Sequence, residues 1–220
     1  MLCDAIVLDF DGTLVDSKEI KAHAFGELYQ SYGDKIVEQV LAYHQQNEGV
    51  SRFVKFRYWQ ETLLGEHYTE EKGAEFSRRY TGAVIDAVVQ APFLPGVNEF
   101  LEKTSQLIPL FVASGTPELE LQQIIMRRQM DHYFRGVFGS PSTKDEILRK
   151  IMTETSTSPH RLLMLGDSLE DWEAAKTTGC HFMGIINGET SPFPDTIISI
   201  NNFNQLQRQI VDQHENLTKI

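Results

Sequence analysis

Short apolar runs without helical periodicity recur along the chain and predict buried strands. A run of four to six such residues is typical of a strand that is covered on both faces of a parallel sheet. Helical patterns alternate with the runs, which predicts an α/β fold with a Rossmann-like, doubly wound parallel sheet. In such a sheet, reactive groups lie beyond the carboxyl ends of the strands. The runs are Ala5 to Leu8, Ile108 to Ala113, Arg161 to Leu165 and Phe182 to Ile186.

The pattern changes to successive helices between Val15 and about Gln90, with turn signals and no convincing strand. Pro92, Pro95 and Gly96 mark the return to the alternating pattern. We therefore predict a catalytic core formed by residues 1–15 and 91–220. An all-helical cap of residues 16–90 would be inserted after the first strand.

Composition and charge narrow the class of protein. A chain of 220 residues and 25.1 kDa accommodates one α/β domain with a small insert. Its net charge of −11 disfavours attraction to nucleic acid or to an anionic membrane. No apolar run approaches the ~20 residues that span a bilayer. The absence of a basic leader before the first strand, and two cysteines without metal-ligand spacing, predict a cytoplasmic location.

The strongest chemical signal is Asp9-Phe10-Asp11-Gly12-Thr13, directly after the first predicted strand. A match to its four specified residues arises by chance on the order of 10⁻⁵ times per position. An ordinary Asp-Gly turn is the alternative interpretation. Two carboxylates at the end of a buried strand, however, repel each other unless a cation or a substrate lies between them. We therefore interpret Asp9 and Asp11 as functional.

Two later segments suit an anionic ligand. Thr116 and Pro117 are predicted to be the N-cap and first residue of a helix, which would place Ser114 near N–H groups suited to phosphate oxygens. Lys144 is predicted in the first turn of another helix, where a cation opposes the helix dipole at a cost of ~0.3–1 kcal/mol. A bound anion would explain that placement, and a solvated lysine paired with Asp145 or Glu146 is the alternative.

A further pair of acids follows the third predicted strand, in Gly166-Asp167-Ser168-Leu169-Glu170-Asp171. Asp167 can serve a hard cation, and Asp171 can orient Lys144. Helix capping by Ser168 and Asp171 is the alternative, but it does not explain Asp167, which precedes the cap.

These four segments, in this order, resemble the motifs of the haloacid dehalogenase superfamily, in its phosphoglycolate phosphatase and β-phosphoglucomutase-like branch with a helical C1-type cap. The resemblance implies a Mg²⁺-dependent phosphatase that forms an aspartyl-phosphate and acts on a small phosphorylated metabolite. The implied roles are nucleophile for Asp9, acid/base for Asp11, phosphate binding for Ser114, Gly115 and Lys144, orientation of Lys144 for Asp171, and metal binding for Asp9, Asp167 and the main-chain carbonyl of Asp11.

Two other functions stay open within this resemblance. Mutases of the β-phosphoglucomutase type carry a histidine twelve residues after the nucleophile, where this chain has Lys21. Hydrolysis is therefore preferred over a mutase reaction. A noncatalytic phosphate-binding protein would not require both Asp9 and Asp11. Nothing in the sequence indicates the oligomeric state.

Residues 49–57 contain three cations and no acid within an acidic protein. Gly49-Val50-Ser51-Arg52 resembles the substrate-specificity loop of related caps, which implies that Arg52 contacts an anionic group of the substrate. Lys55 and Arg57 are further candidates for that contact. The alternative is that part of this charge is only solvated surface.

Overall fold

The computed structural model of the protein describes residues 3–188, 190–204 and 206, and it contains a six-stranded parallel sheet. The strand order is β3-β2-β1-β4-β5-β6, and each neighbouring pair is parallel. The predicted fold class is confirmed. The strands are β1 (Ala5–Leu8), β2 (Leu110–Pro117), β3 (Phe134–Ser140), β4 (Leu162–Gly166), β5 (His181–Ile185) and β6 (Ser199–Ile200).

Eight α-helices occur in the described part of the chain, and five of them lie between β1 and β2, the first four within residues 16–90. Residues 16–90, called the cap segment below, are helical and contain no strand, while their division from the rest as a separate domain stays a prediction. No helix among the described residues is long and apolar enough to cross a membrane. The helices are α1 (Lys18–Tyr29), α2 (Asp34–Gln46), α3 (Arg52–Tyr58), α4 (Glu70–Gln90), α5 (Val97–Thr104), α6 (Glu118–Arg127), α7 (Lys144–Thr155) and α8 (Leu169–Thr178).

The sheet differs from the sequence prediction in the bounds of β2 and in two additional strands. Strand β2 begins two residues later than predicted and continues to Pro117, so Thr116 lies in the strand and is not a helix cap. Pro117 is the N-cap, and α6 begins at Glu118. Strands β3 and β6 were not predicted. Both are edge strands, and their residues are partly exposed. They therefore lack the unbroken apolar run that marks the central strands.

The central strand β1 is completely buried, and its side chains alternate between two apolar clusters. Ile6 and Leu8 belong to the cluster that continues into the cap segment, where it includes Phe25 and Trp59. Burying one large apolar side chain contributes about 1.5–3 kcal/mol. Packing on both faces therefore holds the carboxyl end of β1, and the residues that follow it, in a defined position.

Candidate active site

The predicted site residues that follow β1, β2 and β4 meet at the carboxyl ends of these strands, because β1 lies between β2 and β4. We call this the carboxyl edge of the sheet. Leu8 pairs with Val112 on one side and with Leu165 on the other. The N–H of Asp9 then donates to the carbonyl of Leu165 at 2.9 Å. A cavity of about 50 Å³ lies beyond these strand ends, under the cap segment. Its wall includes Asp9, Asp11, Ser114, Gly115 and Asp167.

Asp9 and Lys144 form a buried ion pair at this edge. The Lys144 Nζ donates to Asp9 Oδ1 at 2.8 Å, and both side chains are buried. Burial raises the pKa of Asp9 well above its usual range, the carboxylates nearby add to the effect, and Lys144 opposes it. Burial alone would lower the pKa of Lys144, but Asp171 and Asp9 outweigh it and raise this pKa. Lys144 is therefore a charged group directed at the predicted nucleophile, which excludes the solvated-lysine alternative.

Asp171 both caps α8 and positions Lys144. One of its oxygens accepts the N–H of Ser168 at 3.1 Å and also the Ser168 hydroxyl. The other oxygen accepts from Lys144 Nζ. The two interpretations considered for Asp171 are thus compatible, since a carboxylate has enough lone pairs for both.

Asp11 has partners that are different from those of Asp9. Its Oδ1 accepts the Ser17 hydroxyl at 2.6 Å, and its Oδ2 accepts the Thr116 hydroxyl at 3.0 Å. Lys21 Nζ forms an ion pair with the same Oδ2 and donates to Thr116 Oγ1 at 2.7 Å. Burial alone would raise the pKa of Asp11, but Lys21 and the two hydroxyl groups outweigh it and lower this pKa. The two neighbouring carboxylates therefore differ in their partners and in the direction of their pKa shifts.

Asp167 faces the loop that follows β1. The Thr13 hydroxyl donates to its Oδ1 at 3.0 Å, and Lys18 forms an ion pair with its Oδ2. Gly12 has φ +81°, and a Cβ there would lie 2.3 Å from Asp167 Oδ2. Glycine is therefore required for this approach. Burial raises the pKa of Asp167 to about 6, although Lys18 opposes the shift.

The carboxylates at this edge fit a hard divalent cation. Oxygens of Asp9, Asp167 and Asp171 all lie within 4.8 Å of one another. Asp171 is the poorest ligand of the three, because Lys144 and Ser168 occupy its oxygens. Asp9 and Asp167 are buried and mutually repulsive, so a cation that prefers oxygen ligands would relieve the repulsion. In this structure, the Lys18 ammonium supplies part of that compensation.

Arg52, at the start of α3, joins the cap segment to α6. Its Nη1 and Nη2 donate to the two carboxylate oxygens of Glu120 at 2.8 and 2.6 Å. Nη1 also donates to the Thr81 hydroxyl at 2.9 Å, and the guanidinium lies 4.5 Å from the ring centre of Tyr80. Arg52 lines the cavity, but its charge is matched by a buried carboxylate. Its predicted contact with substrate stays a prediction.

The other two cap cations differ in position. Lys55 is buried and lines the cavity, where its Nζ donates to His44 Nδ1 at 2.9 Å and to the Glu48 carbonyl at 3.2 Å. The Arg57 side chain is 56% exposed and pairs with Glu70 at 2.8 Å. The structure therefore brings Lys55 to the predicted site and does not bring Arg57 there.

Sequence reasoning missed two lysines of the site, Lys18 and Lys21. They lie three residues apart on α1 and so share one face of the helix. That spacing, directly after the motif containing Asp9 and Asp11, was the available signal. Their contacts with Asp167 and Asp11 depend on how α1 packs over the strand ends, which sequence periodicity does not encode.

Comparison with known proteins places this site in a family. The family model described as haloacid dehalogenase-like hydrolase matches residues 6–185. A phosphoglycolate phosphatase of Aliivibrio fischeri is 26% identical over 83% of this chain and 84% of its own length. A phosphorylated carbohydrates phosphatase of Thermotoga maritima is 24% identical over 80% and 82%.

A solved structure shows the same fold. CbbY from Rhodobacter sphaeroides, in complex with xylulose-(1,5)bisphosphate, aligns with a TM-score of 0.72 at 19% identity, over 93% of this chain and 96% of that one. The family match and the named relatives confirm the predicted enzyme class, a phosphatase of this superfamily. The chain belongs to the haloacid dehalogenase-like hydrolases.

Proposed function

We propose that this enzyme hydrolyses the phosphate monoester of a small metabolite through an aspartyl-phosphate on Asp9. The observation that carries the proposal is the division of partners between two adjacent carboxylates. Asp9 is paired with Lys144, whereas Asp11 is held by Ser17, Thr116 and Lys21. A nucleophile and an acid/base group need such different environments.

In the first step, an Asp9 oxygen attacks phosphorus, and the bond between phosphorus and the ester oxygen breaks. The protonated form of Asp11 donates its proton to the departing oxygen. In the second step, Asp11 takes a proton from water, the water oxygen attacks phosphorus, and the bond to Asp9 breaks. Inorganic phosphate and free Asp9 result.

Charge on the transferring group is compensated by the residues at the strand ends. Ser114, Gly115 and Lys144 would bind the oxygens of the phosphoryl group, since Lys144 already lies at hydrogen-bond distance from Asp9. Asp9, Asp167 and the main-chain carbonyl of Asp11 would hold Mg²⁺. When bound, Mg²⁺ supplies positive charge that offsets repulsion between the carboxylate and the phosphate.

The cap segment would act as a lid that carries substrate recognition. The cavity volume of about 50 Å³ suffices for one or two water molecules, whereas small-molecule sites usually have ~300–1,000 Å³. We therefore expect the cap segment to move away from the strand ends when substrate enters. Of the three predicted cap contacts, Lys55 and Arg52 line the cavity, whereas Arg57 lies outside it. Lys55 has the most direct position, because Arg52 is paired with Glu120.

The substrate class proposed here is that of phosphoglycolate or a sugar phosphate. Relatives named phosphoglycolate phosphatase and phosphorylated carbohydrates phosphatase support it. A mutase reaction is less well supported, because Lys21 takes the place of the mutase histidine and pairs with Asp11 itself.

The test is phosphate release from p-nitrophenyl phosphate, phosphoglycolate and hexose phosphates, with Mg²⁺ and with EDTA. We expect Mg²⁺-dependent release by the wild type and none by Asp9→Asn. Interconversion of hexose phosphates without phosphate release would favour the mutase. Tight phosphate binding without turnover would favour the noncatalytic alternative.

A further inference from the structure

Lys55 is a buried amine with an unused hydrogen-bond donor. Its side chain is 2% exposed and lies on α3, in the wall of the cavity. An ammonium group has three N–H donors. His44 Nδ1 and the Glu48 carbonyl accept two of them, and the hydrogen bonds of the described residues include no acceptor for the third.

The other cations of the cavity wall are each matched by an acid. Lys18 pairs with Asp167 and Glu48, Lys21 with Asp11, and Arg52 with Glu120. Lys55 forms no ion pair within residues 3–188, 190–204 and 206. Burying an unpaired charge is costly, so a lysine in this position is expected to release its proton or to receive an anion from outside.

The surroundings of Lys55 agree with that expectation. Burial lowers its pKa to about 7, and the positive charge of Lys21 adds to the effect. Burial and the charge of Lys55 lower the pKa of His44 to about 3. His44 is therefore a neutral acceptor of one hydrogen bond from Lys55. Together with the Glu48 carbonyl it fixes the direction of the remaining N–H, so its role is to position Lys55.

We propose that Lys55, positioned by His44, binds a second anionic group of the substrate, a carboxylate or a second phosphate, while Asp9 attacks the reacting phosphate. This inference rests on the proposed function and specifies its substrates as metabolites with two anionic ends. An anion at this place supplies the charge that Lys55 lacks, and it accepts the remaining N–H.

Arg52 is less suited to that contact in this structure. Its guanidinium already donates to both oxygens of Glu120 and to Thr81. A substrate anion would have to displace a buried carboxylate, which leaves that carboxylate uncompensated. In the described part of the chain, no carboxylate is paired with Lys55, so a substrate anion would displace none there.

The experiment compares two pairs of substrates that differ in charge at the nonreacting end. The first pair is phosphoglycolate and 2-hydroxyethyl phosphate, and the second is propane-1,3-diol bisphosphate and 3-hydroxypropyl phosphate. In the wild type, kcat/KM should be higher for the charged member of at least one pair. Lys55→Met should reduce that preference roughly 10- to 100-fold, as expected for a hydrogen bond between charged groups. Values for the uncharged members should fall by a smaller factor, because these substrates carry no second anion for Lys55 to bind.

Controls separate recognition from folding. Methionine has a similar volume and removes an unpaired buried charge, but it leaves His44 Nδ1 and the Glu48 carbonyl without their donor, so the melting temperature of Lys55→Met should fall by no more than a few degrees. Lys72→Met is the matched control, because Lys72 lies on α4, pairs with Glu66 and is 44% exposed. His44→Gln should reduce the same preference by a smaller factor, since glutamine can still accept from Lys55.

Calorimetric titration of Asp9→Asn tests the subsite without turnover. Phosphoglycolate or the bisphosphate should bind more tightly than its uncharged partner, and adding Lys55→Met should remove the difference. A loss confined to the first pair identifies a carboxylate, and a loss confined to the second identifies a phosphate. Unchanged preferences in both pairs, in turnover and in calorimetry, would overturn the inference. Failure of the wild type to hydrolyse any ester would refute the proposed function separately, and calorimetry would still decide about Lys55.

Discussion

Glu120→Leu should destabilise the protein strongly, because it leaves the Arg52 guanidinium buried without a counter-charge. Arg52 and Glu120 are 4% and 8% exposed, and two hydrogen bonds of 2.8 and 2.6 Å join them. Removing one partner of such a buried pair costs about 3–5 kcal/mol. For a chain of 150–250 residues, ~2–4 °C of melting temperature corresponds to 1 kcal/mol, so we expect a decrease of roughly 6–20 °C.

The double variant Arg52→Leu/Glu120→Leu should recover most of the loss, since apolar side chains can replace a buried ion pair at little cost. Asp86→Ala is the control. Asp86 on α4 pairs with Arg127 on α6 at 2.8 Å, so this pair also joins the cap segment to α6, but the two side chains are 77% and 39% exposed. An exposed pair contributes about 0–1 kcal/mol.

Urea unfolding followed by circular dichroism gives the free energy of unfolding of each variant. Hydrogen exchange in α3 and α6 shows whether Glu120→Leu opens the cap segment without unfolding the sheet. A loss below about 1 kcal/mol, with exchange in α3 and α6 unchanged, would refute the reasoning. So would a double variant as unstable as Glu120→Leu.

Four further predictions concern the chemistry of the site. Asp9→Asn should abolish turnover without changing the fold, and trapping of labelled phosphate on Asp11 in the wild type would contradict this assignment. Asp11→Asn should reduce kcat for alkyl phosphates far more than for p-nitrophenyl phosphate, whose leaving group needs less protonation; equal losses would exclude the acid role. Asp167→Asn should raise the Mg²⁺ concentration needed for half-maximal activity. Lys18→Met should have the opposite effect on the metal, because the Lys18 ammonium competes with it for Asp167. Electron paramagnetic resonance should then show tighter binding of Mn²⁺. Lys21 lowers the pKa of Asp11, so Asp11 in Lys21→Met should stay protonated to higher pH. The alkaline limb of the pH profile of kcat/KM should therefore move to higher pH. A shift to lower pH, or no shift, would disprove the role of Lys21.

The central strands and the acidic motifs were predictable from sequence because their signals are local. Ala5 to Leu8 is an unbroken apolar run, and Asp9 and Asp11 follow it directly. Strand β3 lacks that signal, since its residues are partly exposed and include Gly136 and Gly139. The order of the edge strands and the partial burial of β3 arise only from the assembled sheet.

The wall of the cavity was less predictable because charge in a sequence does not reveal its partner. Arg52, Lys55 and Arg57 are all cationic residues in the sequence. In the structure, Arg52 is paired with a buried acid, Lys55 has no ion-pair partner among the described residues, and Arg57 is exposed. Glu120 lies 68 residues from Arg52, so only tertiary structure brings them together. The hydrophobic pattern of the sequence identified the strand ends of the site. The residues of the cap segment that cover these ends depend on how α1 and α3 pack, which the pattern does not reveal.

The position of β1 in the sheet has a consequence for the order in which the chain folds. This strand pairs with Leu110 and its neighbours on one side and with Leu162 and its neighbours on the other. Neither β2 nor β4 has been synthesised when β1 leaves the ribosome. Pairing also requires loop closure over about a hundred residues or more, which makes it slow. The helices of the cap segment pack on one another over shorter sequence separations than the strands and can form first. The apolar side chains of β1 stay exposed until β2 and β4 are available. We therefore expect chaperones to bind this segment of the growing chain.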